Sequence, residues 1–331
     1  MADKSSLLNL YNNHDGKLSD KWELYVKAWD DLFASKRCAP LNILEIGIQN
    51  GGSLEIWAKY FSNAINVVGV DINPRCNELV FDDPRIHFVL GDANDDKTIN
   101  RITKLSKRFE IIIDDGSHIS DDIIKTFFRY FSLLEDDGIF IIEDLHASYW
   151  EAFDGGLFHR TSSMSFFKKL VDILNFEHWK TPLSIKNYLI EFQEYFNNNF
   201  SETLFSKIYS IEFLNSMVII RKRPYSENLL GRRYMSGSIE TVTDNTKIYQ
   251  DYPISFFSEQ MEDNSVVLAP TALQERNEIS ISQLESILQQ NHELENKLSQ
   301  MINSKSWKIT KPLRILKSLL SKNGADVDYK Q

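Results

Sequence analysis

Residues 41–52, LNILEIGIQNGG, decide the fold: an apolar run passes into a glycine-rich turn and then into a helical pattern over 53–62. The same grammar repeats outward from it. The runs NVVGVDI (66–72), RIHFVLGD (85–92), FEIIIDDG (109–116) and GIFIIEDL (138–145) alternate with helical patterns over 95–107 and 119–135. Strands alternating with helices predict βαβ units in a parallel sheet. The runs are continuously apolar and rich in β-branched residues, so the sheet is expected to be buried on both faces, a doubly wound α/β fold. Helical material follows at about 163–200. Then KIYSIEFLNSMVIIRKR (207–223) offers two strand-like runs meeting at Asn215-Ser216, which predicts a closing antiparallel hairpin.

Upstream, SDKWELYVKAWDDLFAS (19–35) sets Trp22, Tyr25, Trp29 and Phe33 at three- and four-residue steps, one apolar face of a leading helix. Residues 1–40 therefore read as a helical cap and 41–223 as the main domain. Residues 224–275, broken by Pro224, Pro253 and Pro270, read as a linker or substrate-side excursion. Over 276–302, Leu284, Ile287, Asn291, Leu294, Leu298 and Met301 follow the a/d seam of a short coiled coil, with Asn291 at a register-fixing position. A dimer through 284–301 is one expectation; a single surface helix is the other. The last stretch, 303–331, holds Lys305, Lys308, Lys311, Arg314, Lys317 and Lys322 opposite Leu313, Leu316 and Leu320, which suits a basic amphipathic helix on an anionic membrane or an ordinary solvated one.

The 331 residues are 42% hydrophobic, enough for one sizeable core with appendages. A net charge of −10 argues against a nucleic-acid partner, which would call for a basic footprint. The two cysteines, Cys38 and Cys76, lack metal-ligand spacing and fit a reducing, cytoplasmic setting. The opening MADKSSLLNLYNNHDG lacks the basic and apolar regions of a signal peptide, and no apolar run is long enough for a membrane span.

Ligands of a doubly wound sheet bind outside the carboxyl ends of its strands, so residues just past each apolar run carry most weight. The first end brings Glu45 and Gly47, with Gly51 and Gly52 allowing a ligand close to the backbone before the helix. The second ends at Asp71, 24 residues after Gly47, where a carboxylate can accept both hydroxyls of a ribose. The third ends at Asp92, a candidate acceptor for an adenine amino group. The fourth and fifth bring Asp114, Asp115, His118, Glu143, Asp144 and His146 to neighbouring ends. Carboxylates held this close repel unless a cation sits among them, and an oxygen-rich set favours a hard ion such as Mg²⁺. Helix caps would account for any one of these acids taken singly.

E-I-G-x-x-x-G-G-S, then V-D and G-D at the next two strand ends, resembles the cofactor half of class I S-adenosylmethionine-dependent methyltransferases, over about 41–223. The resemblance implies a seven-stranded Rossmann-like sheet whose last two strands are the hairpin, and implies that Glu45, Gly47, Gly51, Ser53, Asp71, Asp92 and Asp114 contact S-adenosylmethionine. D-D-G-S-H followed by I-E-D, with the opening S-D-K-W-x-x-Y and G-G-S-L-x-x-W-x-x-Y-F, is similar to the metal-dependent sugar O-methyltransferases of macrolide biosynthesis. Carried over, Asp115, Glu143 and Asp144 would hold Mg²⁺, His118 would be the base, and Asp114 would be a neighbour of the ion. The acceptor implied is a sugar or glycan hydroxyl. Trp150, Phe153, His159 and Arg160, in 145–165, would face it or pack a lid.

The tail motif S-x-S-W-K-I-T-K-P-L-R resembles a segment near the ends of bacterial surface-polysaccharide glycosyltransferases and their partner enzymes. With the coil and the basic helix it points to glycan-synthesis machinery at the inner face of the membrane. Two other functions remain to be separated: a cephalosporin-hydroxylase-like relative with a different reaction, and a non-catalytic coiled-coil scaffold. The absence of G-x-G-x-x-G after the first strand disfavours a nicotinamide oxidoreductase.

Overall fold

The computed structural model describes residues 6–179, 181, 183–196 and 201–242. The expected coil and basic tail, and the linker beyond residue 242, lie outside the described residues.

Two helices open the chain, α1 (Leu7–Asn12) and α2 (Glu23–Phe33). Then come β1 (Asn42–Ile46), α3 (Gly52–Tyr60), β2 (Asn66–Asp71), β3 (Ile86–Leu90), α4 (Asp96–Leu105), β4 (Phe109–Asp114), α5 (Ser120–Phe131) and β5 (Leu134–Ile142). The helices α6 (Ser163–Leu174), α7 (Ile185–Tyr188), α8 (Ile190–Phe196) and α9 (Glu202–Phe205) precede the hairpin of β6 (Ile208–Leu214) and β7 (Met217–Lys222). The seven strands run in the order β3-β2-β1-β4-β5-β7-β6. The first five are mutually parallel, and β7 is antiparallel to both β5 and β6. The hairpin turns at Asn215-Ser216 as expected, with Leu214 paired to Met217 and Ser216 at φ 68°.

Side-chain alternation on buried strands divides the core into two layers. Leu44, Ile112, Phe140 and Ile220 pack with Ile102 of α4, Phe127 of α5 and Phe166 of α6. Ile43, Ile111, Ile141 and Ile219 pack on the other face with Trp29 and Phe33 of α2 and Trp57 of α3. Continuous apolar strands were thus the correct sign of double coverage. The leading helix differs from expectation at one place: Tyr25, Trp29 and Phe33 are buried, while Trp22 stands just before the helix, 59% exposed. Trp22 lies on the side where the site forms rather than in the core. The chain goes from β1 outward to β3, returns, and continues from β4 in the other direction. The carboxyl ends of β1 and β4 are therefore the switch point at which a ligand crevice opens.

Candidate active site

The crevice forms where the loop after β1 meets the loop after β4. Gly47 sits at φ +83° with its N–H donating to Val70 O at 2.8 Å. A Cβ at this position would meet Asp115 O at 2.0 Å, so only glycine allows the two loops to touch. Beside this contact lies a cavity of about 290 Å³ lined by Gly47, Asp71, Asp92, Asp114 and Asp115. Asp71 Oδ2 accepts from Ile48 N (3.0 Å) and Gln49 N (2.9 Å), and Oδ1 accepts from Asn73 N (2.8 Å). Those bonds hold the turn in shape and fix the Asp71 carboxylate at the cavity wall. Asp92 Oδ1 accepts from Asn94 N at 2.8 Å. Asp114 is 4% exposed; burial, only partly offset by Gly116 N–H, pushes its carboxyl up to about 8, and Oδ2 has no partner among the described residues.

The other expected cofactor residues stand off the cavity wall. Gly51, at φ +80°, closes the turn through its N–H to Ile48 O and leads into α3. Glu45 is 1% exposed and accepts from Trp57 Nε1 at 3.1 Å, with Ser53 hydrogen-bonded to it from α3. Strand alternation explains this: Glu45 points toward the α2–α3 layer, away from the cavity.

Of the carboxylates expected to hold a metal, Asp115 at the cavity wall and Asp144 stand together with His118. His118 Nε2 lies 3.9 Å from Asp115 Oδ1 and 3.8 Å from Asp144 Oδ2, and one ligand atom from each of the three falls within 4.8 Å of the others. Asp115 and Asp144 supply oxygens suited to a hard divalent ion, and His118 Nε2 stands beside both carboxylates as a free nitrogen neighbouring such an ion. His118 and Asp144 both adopt positive φ, 59° and 52°, a conformation costly for side-chain-bearing residues and typical of functional turns. Glu143 is turned away from this group. Its Oε2 accepts from Lys21 Nζ at 2.9 Å, its Oε1 has no partner among the described residues, and it is 1% exposed.

Lys21 was absent from the residues singled out by sequence. Its ammonium bonds Asp115 Oδ2 as well as Glu143 and stands 3.5 Å from Glu45. Burial acts to lower its pKa, but Glu143, Asp115 and Glu45 outweigh that and hold it well above the ordinary lysine value. The Trp22 indole N–H and the Tyr25 hydroxyl both donate to Asp144 Oδ1, at 3.0 and 2.9 Å. The only sequence signal for these three residues was their place in S-D-K-W-x-x-Y, where the aromatic pair also reads as ordinary helix packing. On the outer side His146 lies edge-on to Trp150, with ring centroids 4.9 Å apart, and Trp150 is 52% exposed. Arg160 pairs with Glu191 rather than facing the carboxylates.

Known proteins resemble the chain in sequence over its first half and in fold. Residues 27–154 match the family model of the FtsJ-like methyltransferases. Among curated proteins, an 8-demethyl-8-alpha-L-rhamnosyl tetracenomycin-C 2'-O-methyltransferase of Streptomyces olivaceus is 36% identical over 167 residues, 47% of this chain and 43% of that protein. The demethylmacrocin O-methyltransferase of Streptomyces fradiae is 32% identical over 178 residues, 50% of this chain and 44% of that protein. The chain thus spans less than half the length of these relatives. Among solved structures, MycE methyltransferase from the mycinamycin biosynthetic pathway, in complex with Mg, SAH and mycinamycin VI, superposes with a TM-score of 0.54 at 22% identity. That match covers 68% of this chain and 57% of MycE, and it shows a shared fold.

Proposed function

We propose that this chain is an S-adenosylmethionine-dependent O-methyltransferase that works with a divalent ion such as Mg²⁺ and methylates a sugar hydroxyl of a glycosylated metabolite or glycan. The observation that carries the proposal is the continuity of the crevice. Asp71, Asp92 and Asp114 line one end, and the Asp115–His118–Asp144 group adjoins the other across a single peptide bond, between Asp114 and Asp115. Sugar O-methyltransferases among the relatives support the acceptor class.

In this reading Asp71 accepts the ribose hydroxyls and Asp92 the adenine amino group. Gly47 lets the cofactor approach the backbone, while Glu45, Gly51 and Ser53 shape the turn. Asp115 and Asp144 would hold the ion, with Glu143, whose Oε1 has no partner among the described residues, as the third acid. When bound, the ion would make a coordinated hydroxyl more acidic and the sulfonium would supply the methyl group. His118 Nε2, facing both carboxylates, takes the hydroxyl proton. Tyr25 and Trp22 fix Asp144 Oδ1, so that Oδ2 remains turned toward His118. The protein's main contribution is alignment of two reactants. The basic segment 303–331 supports an acceptor assembled at a membrane surface beside glycan-synthesis enzymes. Among the described residues no helix is long and apolar enough to cross a membrane.

Isothermal calorimetry of S-adenosylmethionine, with Mg²⁺ and with chelator, tests the two halves separately. Asp71→Ala is expected to abolish cofactor binding, and Asp115→Ala to abolish ion binding while the cofactor still binds. A wild-type protein that binds no cofactor would leave the scaffold function in its place.

A further inference from the structure

The residue that most needs explaining is Lys21. A lysine whose side chain is only 5% exposed carries a heavy desolvation penalty unless partners offset it, and here the partners are three acids from two different strands and the β4 loop. Glu45 comes from β1, Asp115 from the end of β4 and Glu143 from the end of β5. Among the described residues Glu143 Oε1 is buried with no hydrogen-bond partner, and Glu45 Oε1 has only the Lys21 ammonium at 3.5 Å. The cluster therefore has more carboxylate oxygens than one ammonium can satisfy.

The segment bearing Lys21 is built into place from both sides. Upstream, Gly52 N donates to Leu18 O at 3.3 Å, and a Cβ on Gly52 would meet Lys17 O at 2.1 Å, so α3 begins directly against this backbone. Lys17 also reaches Glu55 at 2.6 Å. Downstream, Trp22 and Tyr25 bond Asp144. The ammonium is thus delivered to the carboxylates by a segment fixed at four points, and the same segment grips the acid on the far side of the candidate ion position.

We propose that Lys21 is a resident surrogate cation. Its ammonium holds Asp115 Oδ2 and Glu143 Oε2, the second oxygens of two acids assigned to the ion, offsets the negative charge that would attract a divalent cation, and thereby weakens ion binding. The inference rests on the metal-assisted function proposed above and adds a competitor within the chain. Two consequences separate it from a purely structural ion pair. Removing the positive charge should strengthen divalent binding, because one repulsive neighbour and one competitor for the same carboxylates are lost. The ion should also stabilise the neutral variant more than it stabilises the wild type, because binding to the native state adds stability in proportion to affinity.

The test uses the full chain and four proteins: wild type, Lys21→Met, Lys21→Gln and Lys21→Arg. Each is titrated with Mn²⁺ and with Mg²⁺ by calorimetry, and its unfolding temperature is measured in chelator and in each ion. The expected result is ion binding about tenfold tighter or more in Lys21→Met and Lys21→Gln, with Lys21→Arg near the wild type. In chelator the two neutral variants should unfold at lower temperature and recover most of the loss when the ion is added. A neutral variant that folds only in the presence of ion supports the same conclusion. Ion binding in both neutral variants that is unchanged or weaker than in the wild type overturns it and makes Lys21 a structural partner alone. If no protein of the four binds either ion while S-adenosylmethionine still binds, the metal-assisted function itself falls, and this proposal falls with it.

Discussion

Gly47 shows how one residue can join the two halves of the site. Its φ of +83° lies where side-chain-bearing residues are strained, and the hydrogen it carries in place of Cβ faces Asp115 O, 2.0 Å from where a Cβ would be. Alanine here would both adopt an unfavourable backbone conformation and drive the β1 loop away from the β4 loop. Gly47→Ala is therefore expected to lower stability by more than about 2 kcal/mol, a size reached when strain and overpacking combine. It should weaken cofactor binding further than the stability loss explains. Chemical denaturation and cofactor calorimetry on the same preparation check both parts. Gly51 shares the positive φ but faces the Phe81 ring, a side chain able to move, and its replacement should be the milder.

Among the elements, β7 presents an unusual contact on the far side of the sheet from the crevice. Lys222, the last residue of β7, is 2% exposed, and its Nζ donates to Phe131 O at 3.1 Å and to Leu134 O, between the end of α5 and the start of β5. Burial drives its pKa down to about 8, with Lys207 and Arg108 adding to the shift and Asp136 and Glu135 opposing it. Between pH 8 and the ordinary lysine value of about 10.4 the unfolded chain binds the proton and the folded one does not, so stability rises with pH across that window. Lys222→Met removes the group. Its stability relative to the wild type should be greatest at pH 7 and fall by up to about 3 kcal/mol by pH 10.5, as followed by denaturation at a series of pH values. A pH-independent difference would mean that the amine is already accommodated when charged.

That element also marks where legibility in the sequence stopped. The strands were readable because burial on both faces forces continuous apolar runs, and the hairpin because Asn215-Ser216 permits the positive φ found at Ser216. Asp71 and Asp92 were readable because a carboxyl end is a fixed place in the fold, and both line the cavity. Lys222 and Lys21 were not, because the sequence gives a lysine no sign of burial: what holds each is a carbonyl pair or, in Asp115 and Glu143, two acids more than 80 residues away in the chain. Glu143 was expected to face the ion beside Asp115 and Asp144; its pairing with Lys21 was not legible for the same reason.

At the scale of the whole fold, the cavity proposed for the cofactor and the candidate ion position are not independent sites. Asp114 lines the cavity with an unpartnered Oδ2, Asp115 follows it directly, and the Asp115 carbonyl lies against Gly47. An ion drawing on Asp115 Oδ1 would fix the loop that also forms the cavity wall, and a cofactor seated against Gly47 and Asp114 would fix the loop that carries Asp115. Each ligand orders a segment that the other needs, so the second should bind at a lower ordering cost than the first. S-adenosylhomocysteine, which cannot react, is the suitable probe. Its affinity is expected to rise about fivefold or more in saturating Mg²⁺, and the affinity of Mg²⁺ should rise by the same factor when the site is filled with it, since coupling between two equilibria is reciprocal. Calorimetric titration in both orders measures the two factors. Equal factors near one would show that the β4 loop is already rigid and that the two halves merely adjoin. A clear rise that disappears in Gly47→Ala, with each ligand still binding alone, would trace the coupling to the contact between the first and fourth strand ends.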